Sequence, residues 1–99
     1  MALNEKIMRK IASDTGISIE ELTTAGIIAL LRERRRKIML ERLDILDRYN
    51  ITSSVQLENN IKEGDIAEHP TWEDLILLEN LEEAINLIDE DINIIQEAA

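Results

Sequence analysis

The chain lacks several residue types, and each absence narrows the class of protein. It has no cysteine, which excludes disulfides, thiol catalysis and zinc–thiolate sites. It has no phenylalanine and only 2% aromatic residues, so its core must be built from isoleucine and leucine. No apolar run approaches the length of a membrane span, and the N-terminus shows no signal-peptide core. We therefore expect a cytoplasmic protein.

Turn-forming residues are scarce as well, with 3 glycines and 1 proline among 99 residues. Apolar residues recur at helical spacing, and no segment shows the alternation of a strand, so the sequence predicts an all-α protein. The length allows a single helical domain with a modest core. Residues 1–49 would form its N-terminal helices and residues 50–99 its acidic C-terminal helices.

Helix-capping signals divide the chain into four predicted helices. Two long helices cover residues 19–49 and 70–96, and we expect them to pack roughly antiparallel. Two short helices, at residues 3–13 and between Ser53 and Gly64, would lie at their ends. The capping residues are Gly16 and Asn50 at C-terminal ends, and Ser18 with Glu21 and Ser53 with Gln56 at N-terminal ends.

The last helix carries six apolar residues at the a and d spacing of a heptad repeat. They are Leu78, Leu81, Ile85, Ile88, Ile92 and Ile95. Isoleucine at both a and d favours bundles of more than two helices. Because the apolar stripes of both long helices exceed what one copy could bury, we predict a coiled-coil-like homo-oligomer, a dimer or larger, joined along this seam.

Charge is divided unevenly along the chain, whose net charge is −10. Residues 1–50 carry 10 basic and 8 acidic groups, a balance of +2. Residues 51–99 carry 1 basic and 13 acidic groups, a balance of −12. Such asymmetry indicates a charge-steered contact, within the protein, between copies, or with a basic partner.

A basic collar on the second helix comprises Arg32, Arg34, Arg35, Arg36 and Lys37. One interpretation is phosphate contact with a nucleic acid. The other, which we favour, is ion pairing with carboxylates of the acidic helix, because no aromatic residues are interleaved with the cations. The candidate carboxylates are Glu79, Glu82, Glu83, Asp89 and Glu90.

The segment from Glu68 to Asp74 holds the only histidine, proline and tryptophan of the chain. One histidine without cysteine makes a poor transition-metal site, so we predict no metal and no cofactor. Trp72 could anchor a partner, since binding hot spots favour tryptophan. We favour the other interpretation, in which Trp72 fills core space that no phenylalanine supplies.

The acidic pairs Glu79–Glu82 and Glu41–Asp44 invite an enzymatic interpretation. All-α nucleotide pyrophosphatases hold Mg²⁺ with E-x-x-E and E-x-x-D pairs, but here the pairs come in the reverse order. Such spacing arises by chance in acidic helices. No glycine-rich phosphate loop or nucleophile–base arrangement occurs. We predict that the protein is not an enzyme, and a Mg²⁺-dependent nucleotide pyrophosphatase is the least favoured alternative.

Residues 4–37 resemble the two helices of ribbon-helix-helix proteins. The matching elements are Asp14-Thr15-Gly16, Ser18 and Glu20-Glu21-Leu22. The DNA-reading strand that precedes the first helix in that family has no matching pattern here. The resemblance therefore implies a helical dimerisation core without that strand, and a nucleic-acid-binding dimer stays open as an alternative function.

Residues 48–83 are similar to the C-terminal part of small prokaryotic, often archaeal, antitoxin-like proteins of type II toxin–antitoxin pairs. The matching elements are Arg48-Tyr49, Ser53-Ser54, Leu57-Glu58, Gly64, Glu68 to Asp74, and Glu79 to Glu82. The resemblance implies a non-catalytic protein that neutralises a basic toxin. The predicted partner-binding residues are Trp72, Glu73, Asp74, Glu79, Glu82 and Glu83. A self-assembling structural helical protein is a further alternative.

Overall fold

The computed structural model describes residues 4–98, apart from the side chain of Glu68. Leu3, within the predicted first helix, lies outside the described residues. The helices are α1 (Glu5–Thr15), α2 (Ile19–Tyr49), α3 (Ser54–Lys62) and α4 (Glu68–Ala98). No strand occurs between residues 4 and 98, so the all-α prediction is confirmed.

The helix ends lie where the capping residues predict them. The Ser18 hydroxyl accepts a hydrogen bond of 3.1 Å from the backbone N–H three residues later, and Ser53 accepts the equivalent bond at 3.2 Å. Gly16 and Asn50 end α1 and α2 in the left-handed conformation, with φ of 72° and 53°. Glycine adopts this conformation without steric cost, and asparagine tolerates it. α2 therefore ends at Tyr49, as predicted.

α4 contains one residue with non-helical backbone, close to its start. His69 has φ −119° and ψ 129°, which is extended backbone. The residue before a proline is pushed towards this region by the proline ring. Continuous helical backbone therefore runs from Pro70 onward, which agrees with the predicted start of the last helix.

α2 and α4 form a long antiparallel pair, 31 residues each. Contacts between their side chains set the register. They join Arg35 to Asp89, Arg42 to Glu82 and Tyr49 to Asp74. Because Arg35 and Arg42 are one heptad apart and their partners are one heptad apart in the opposite direction, the helices run antiparallel. These arginines interrupt the apolar stripe of α2 where α4 supplies carboxylates.

The heptad seam of α4 packs against α2 of the same chain. Leu78, Leu81, Ile85 and Ile88 are buried, and Ile92 and Ile95 are half-buried. The prediction that this seam joins separate copies is therefore corrected for the residues from Leu78 to Ile88, which are covered within one chain. The physical reason is that α2 is long enough to serve as the companion helix, so the seam loses its contact with water within one chain.

The most tightly packed region lies at one end of the α2–α4 pair, where α3 closes over it. The buried cluster comprises Ile45, Leu46, Ile51, Leu57, Leu75, Leu78 and Leu81. Leu57 of α3 is fully buried, whereas Val55 beside it is exposed. Full burial of one such aliphatic side chain contributes about 1.5–3 kcal/mol. Stability is therefore concentrated at the α3 end of the molecule.

The opposite end is an apolar arm with little covering. We define the N-terminal arm as α1 together with residues 17–30. No residue of α1 is buried. The molecule measures 61 × 27 × 19 Å with a radius of gyration of 19.7 Å, against about 13 Å for a compact domain of this length. The chain is therefore elongated, with a packed end and an open end.

Candidate functional site

The sequence-predicted partner-binding residues divide into two groups on α4. Asp74 and Glu82 are half-buried and face the other helices, whereas Trp72, Glu73, Glu79 and Glu83 are exposed. Successive helix residues turn by about 100°, so neighbours in sequence can have opposite surroundings. The two groups therefore have different physical roles.

Asp74 is held by the end of α2. Its carboxylate accepts hydrogen bonds from the Tyr49 hydroxyl and, at 3.2 Å, from Nη1 of Arg48. Burial raises the pKa of the Tyr49 hydroxyl, and the bond to Asp74 raises it further. Because this carboxylate already has two partners within the chain, Asp74 fastens α4 to α2 and is not free for a partner protein.

Glu82 is held by α3 and α2. Its Oε1 accepts a hydrogen bond of 3.0 Å from the backbone N–H of Ser54, at the first turn of α3. The same oxygen lies 3.9 Å from Nε of Arg42. A carboxylate at a helix N-terminus is favoured by the helix dipole. Glu82 therefore positions α3, and the Glu79–Glu82 pair does not act as one unit.

Trp72 does not fill the core. Its side chain is 43% exposed, in the first turn after Pro70. The favoured core interpretation of Trp72 is therefore wrong, because the seam residues of α4 point to α2 while Trp72 lies on another line of the helix. Trp72 remains available for contact with a partner.

A second row of apolar residues lies beside Trp72 on α4. Ile76, Leu87 and Ile94 are each about half exposed. Their spacings of 4, 11 and 7 from Trp72 onward bring them to the side of α4 that faces away from α2. The sequence predicts part of this row, because its spacing places Leu87 and Ile94, with Leu77 and Ala84, in a second apolar strip beside the heptad seam. Ile76 is not part of that predicted strip.

Carboxylates follow the same row. Together these residues form the outer face of α4, a name that we keep below. It comprises Trp72, Ile76, Glu79, Glu83, Leu87, Glu90, Ile94 and Glu97, all of them exposed. None of its carboxylates has an ion-pair partner among residues 4–98. The outer face is thus both apolar and negatively charged.

Two cations of the basic collar, Arg35 and Arg36, form ion pairs within the chain. Arg35 Nε donates to Asp89 at 2.7 Å, and this bond raises the pKa of Arg35. Arg36 pairs with Glu33 on its own helix, which lowers the pKa of Glu33. The favoured interpretation, pairing with the acidic helix, therefore holds for Arg35.

The other collar cations, Arg32, Arg34 and Lys37, are exposed and have no ion-pair partner in the described part of the chain. Arg34 and Lys37 are three residues apart and share one side of α2, whereas Arg32 points to the opposite side. The three therefore do not form a single basic surface.

His69 is exposed and lies apart from any ligand cluster. Within residues 4–98, no group of three histidine, aspartate or glutamate side chains is placed to hold a metal ion. In the same range, no helix combines the length and apolarity that a membrane crossing requires. The outer face of α4 is therefore the most distinctive functional candidate on the described surface.

The fold and this surface define an all-α protein built on a long antiparallel helix pair. The chain belongs to the uncharacterized protein MJ0235 family, whose model matches residues 1–97. Comparison with curated proteins gives no match, and neither does comparison with solved structures.

Proposed function

We propose that the chain is a non-catalytic module that binds a basic protein in the cytoplasm through the outer face of α4. The observation that carries the proposal is the row of unpaired carboxylates beside the exposed Trp72. Asp74, Glu82 and Asp89 are compensated by cations of α2. Glu79, Glu83 and Glu90 have no such compensation among the described residues, so their charge is available to a partner.

The charge distribution would also increase the rate at which the chain and a basic partner associate. Residues 51–99 carry a balance of −12, and the carboxylates of α4 extend along most of the molecule's length. A surface of one sign accelerates encounter with a partner of the opposite sign and excludes partners of the same sign. Exposed tryptophan and aliphatic side chains on the same face then supply apolar contact area.

The specific form of this function that the sequence resemblance favours is neutralisation of a basic toxin. In that form, the outer face of α4 would cover a positively charged surface that the toxin needs for its own activity. A protein encoded beside this gene, with a basic composition, is the partner to test first.

The experiment co-expresses the chain with that neighbouring protein and measures their affinity by calorimetry. The variant Glu79→Lys/Glu83→Lys reverses charge on the outer face. Its matched control is Glu41→Lys/Asp47→Lys, which makes the same charge change at exposed positions of α2. We expect the first variant to weaken binding at least about tenfold, or about 1.4 kcal/mol, and the control to bind like wild type.

Two results would overturn the proposal. One is a complex whose affinity is equal in both variants, because the charge at the outer face would then be irrelevant. The other is the absence of any complex with a basic neighbour at low salt. If the neighbour arrests growth when expressed alone and the chain restores growth, the toxin form of the function is supported.

A second candidate function, self-assembly, is favoured by the N-terminal arm. An open groove of about 390 Å³ lies between α1 and α2 and is lined by Met8, Ile11, Leu22, Thr23, Gly26, Ile27 and Leu30. Residues 4–30 carry four acidic and three basic groups, so this part of an acidic chain is nearly neutral. Two copies therefore repel one another least at their arms.

Light scattering tests this second candidate. We expect the wild-type mass to equal at least two chains, and Ile27→Asp/Leu30→Asp to reduce it to one. Leu87→Asp, on the outer face of α4, serves as the control and should keep the wild-type mass. A wild-type mass of one chain would rule out self-assembly and leave the proposed binding of a basic protein unaffected.

A further inference from the structure

We infer that the outer face of α4 takes a single amphipathic helix, whose apolar seam is flanked by lysine or arginine on both sides. This inference rests on the proposed function and names the structural form of the partner. It follows from the order of side chains across the outer face, from its length and from its charge.

The order of side chains is that of a helix-packing seam. Ile76, Leu87 and Ile94 lie on the line of α4 that points directly away from α2. Trp72 lies close to that line, at the end next to Pro70. The line is interrupted over the three turns between Ile76 and Leu87, where Glu83 lies on the same side. Its two apolar ends still fit the seam of another helix, since helices pack by inserting such rows between one another.

Carboxylates border the apolar line on both sides. One border comprises Glu79, Glu83, Glu90 and Glu97, and the opposite border comprises Glu73 and Asp91. These positions correspond to the flanking positions of a coiled coil, where charge determines which helix is accepted. Negative charge on both borders therefore selects a partner helix with cations on both sides of its seam.

A second copy of this chain is a poor occupant of the same face. A symmetric contact between two outer faces would place Glu83 and Glu90 of one copy against the same carboxylates of the other, and like charges in contact oppose association. The α2 helix of another copy fits no better, because only Arg34 and Lys37 share a face of it, Glu41 follows on that same face, and Arg32 points to the other side. The occupant is therefore a different, basic chain.

The dimensions fit one helix. From Trp72 to Ile94 the face extends about 33 Å, which corresponds to a partner helix of about 22 residues. The four exposed apolar side chains offer roughly 400 Å², within the range of functional patches on monomers.

The only tryptophan of the chain gives a direct test. The probe is a synthetic peptide of about 22 residues with leucine at the seam positions and lysine at the flanking positions. Two control peptides carry glutamate at the flanks or the same composition in scrambled order. We expect saturable binding of the lysine peptide, with a blue shift of Trp72 emission as the indole loses water, and no saturable change with either control.

Variants of the chain test whether the peptide binds at the outer face of α4. Leu87→Asp should weaken binding of the lysine peptide at least about tenfold, which corresponds to about 1.4 kcal/mol. Leu40→Asp makes the same change on α2 at a side chain of equal exposure, 53% against 55%, and should bind like wild type. Circular dichroism verifies that both variants keep their helices, and Ile76→Asp provides a second variant of the face.

Equal binding of the scrambled peptide, or equal loss in Leu87→Asp and Leu40→Asp, would overturn the inference. So would the lack of any saturable change in Trp72 emission with the lysine peptide. If such a failure occurs while a basic protein still binds in a way that depends on Glu79 and Glu83, only the helical form of the partner is wrong. Loss of both would overturn the proposed function as well.

Discussion

Arg35 and Asp89 lie 54 residues apart in sequence and join the middle of α2 to α4. The guanidinium donates twice, from Nε to Oδ1 at 2.7 Å and from Nη2 to Oδ2 at 3.3 Å. Both side chains keep more than a third of their surface exposed. The pair therefore joins the helices in register but is only partly shielded from water.

We expect Asp89→Asn to lower the free energy of unfolding by only about 0.2–1 kcal/mol, because exposed ion pairs are weak and salt screens them. Urea unfolding at low and high salt measures this, and the difference from wild type should shrink as salt rises. Asp91→Asn is the control, since Asp91 is exposed and unpaired among residues 4–98. A loss of several kcal/mol would show that the pair is buried in solution.

The same substitution, leucine to alanine, should affect the free energy of unfolding very differently at Leu78 and at Leu87, although both lie on α4. Leu78 is fully buried against α2, and Leu87 is 55% exposed. We expect Leu78→Ala to lower the free energy of unfolding by about 2–5 kcal/mol, because it removes buried methyl groups and leaves a cavity. Leu87→Ala should change it by less than about 0.5 kcal/mol. Urea unfolding compares them, and equal losses would contradict the intramolecular seam.

Substitutions of the neighbouring residues Glu82 and Glu83 should affect different properties, stability for Glu82 and partner binding for Glu83. Glu82→Ala leaves the N–H of the buried Ser54, in the first turn of α3, without its acceptor, so we expect a loss of about 1–3 kcal/mol. Glu82→Gln keeps an acceptor oxygen and should lose less. Glu83→Ala should leave stability unchanged and weaken partner binding. Thermal unfolding and the binding assay, applied to each variant, distinguish the two roles. If Glu82→Ala is as stable as wild type, Glu82 does not anchor α3.

Ionisation of the Tyr49 hydroxyl should lower the stability of the fold at alkaline pH. Burial, reinforced by the bond to Asp74, raises the pKa of its hydroxyl above the ordinary value of 10.0. Below that value the phenol is protonated in both folded and unfolded chains, so its contribution is fully present. Above it, the unfolded chain releases the proton first, and the contribution is lost as pH rises through the folded pKa.

Urea unfolding at neutral and alkaline pH checks this, with Tyr49→Phe as the matched variant. The substitution should cost stability at neutral pH and reduce the alkaline decline. Because Tyr49 is the only tyrosine, difference absorbance of the tyrosinate reports its titration directly. An identical alkaline decline in Tyr49→Phe would show that other groups cause it.

The candidate surface was only partly predictable from the sequence. The sequence predicts that Glu79 and Glu83 bind a partner. In the structure both lie on the outer face of α4, where a partner can reach them. Asp74 and Glu82 were expected to bind a partner too, but the structure places them against α2 and α3. Trp72 was expected inside and lies outside. Composition and spacing identify α4 as acidic and amphipathic, but they do not state which of its two apolar rows meets α2.

The sequence by itself determined the helices and their ends. Ser18, Ser53, Gly16 and Asn50 act on backbone groups within a few residues, so their effect needs no tertiary contact. Only the tertiary structure decided that the heptad seam from Leu78 to Ile88 is satisfied within one chain. That choice depends on the combined packing of side chains more than thirty residues apart. The same packing leaves the second row of α4, with its carboxylates, on the surface.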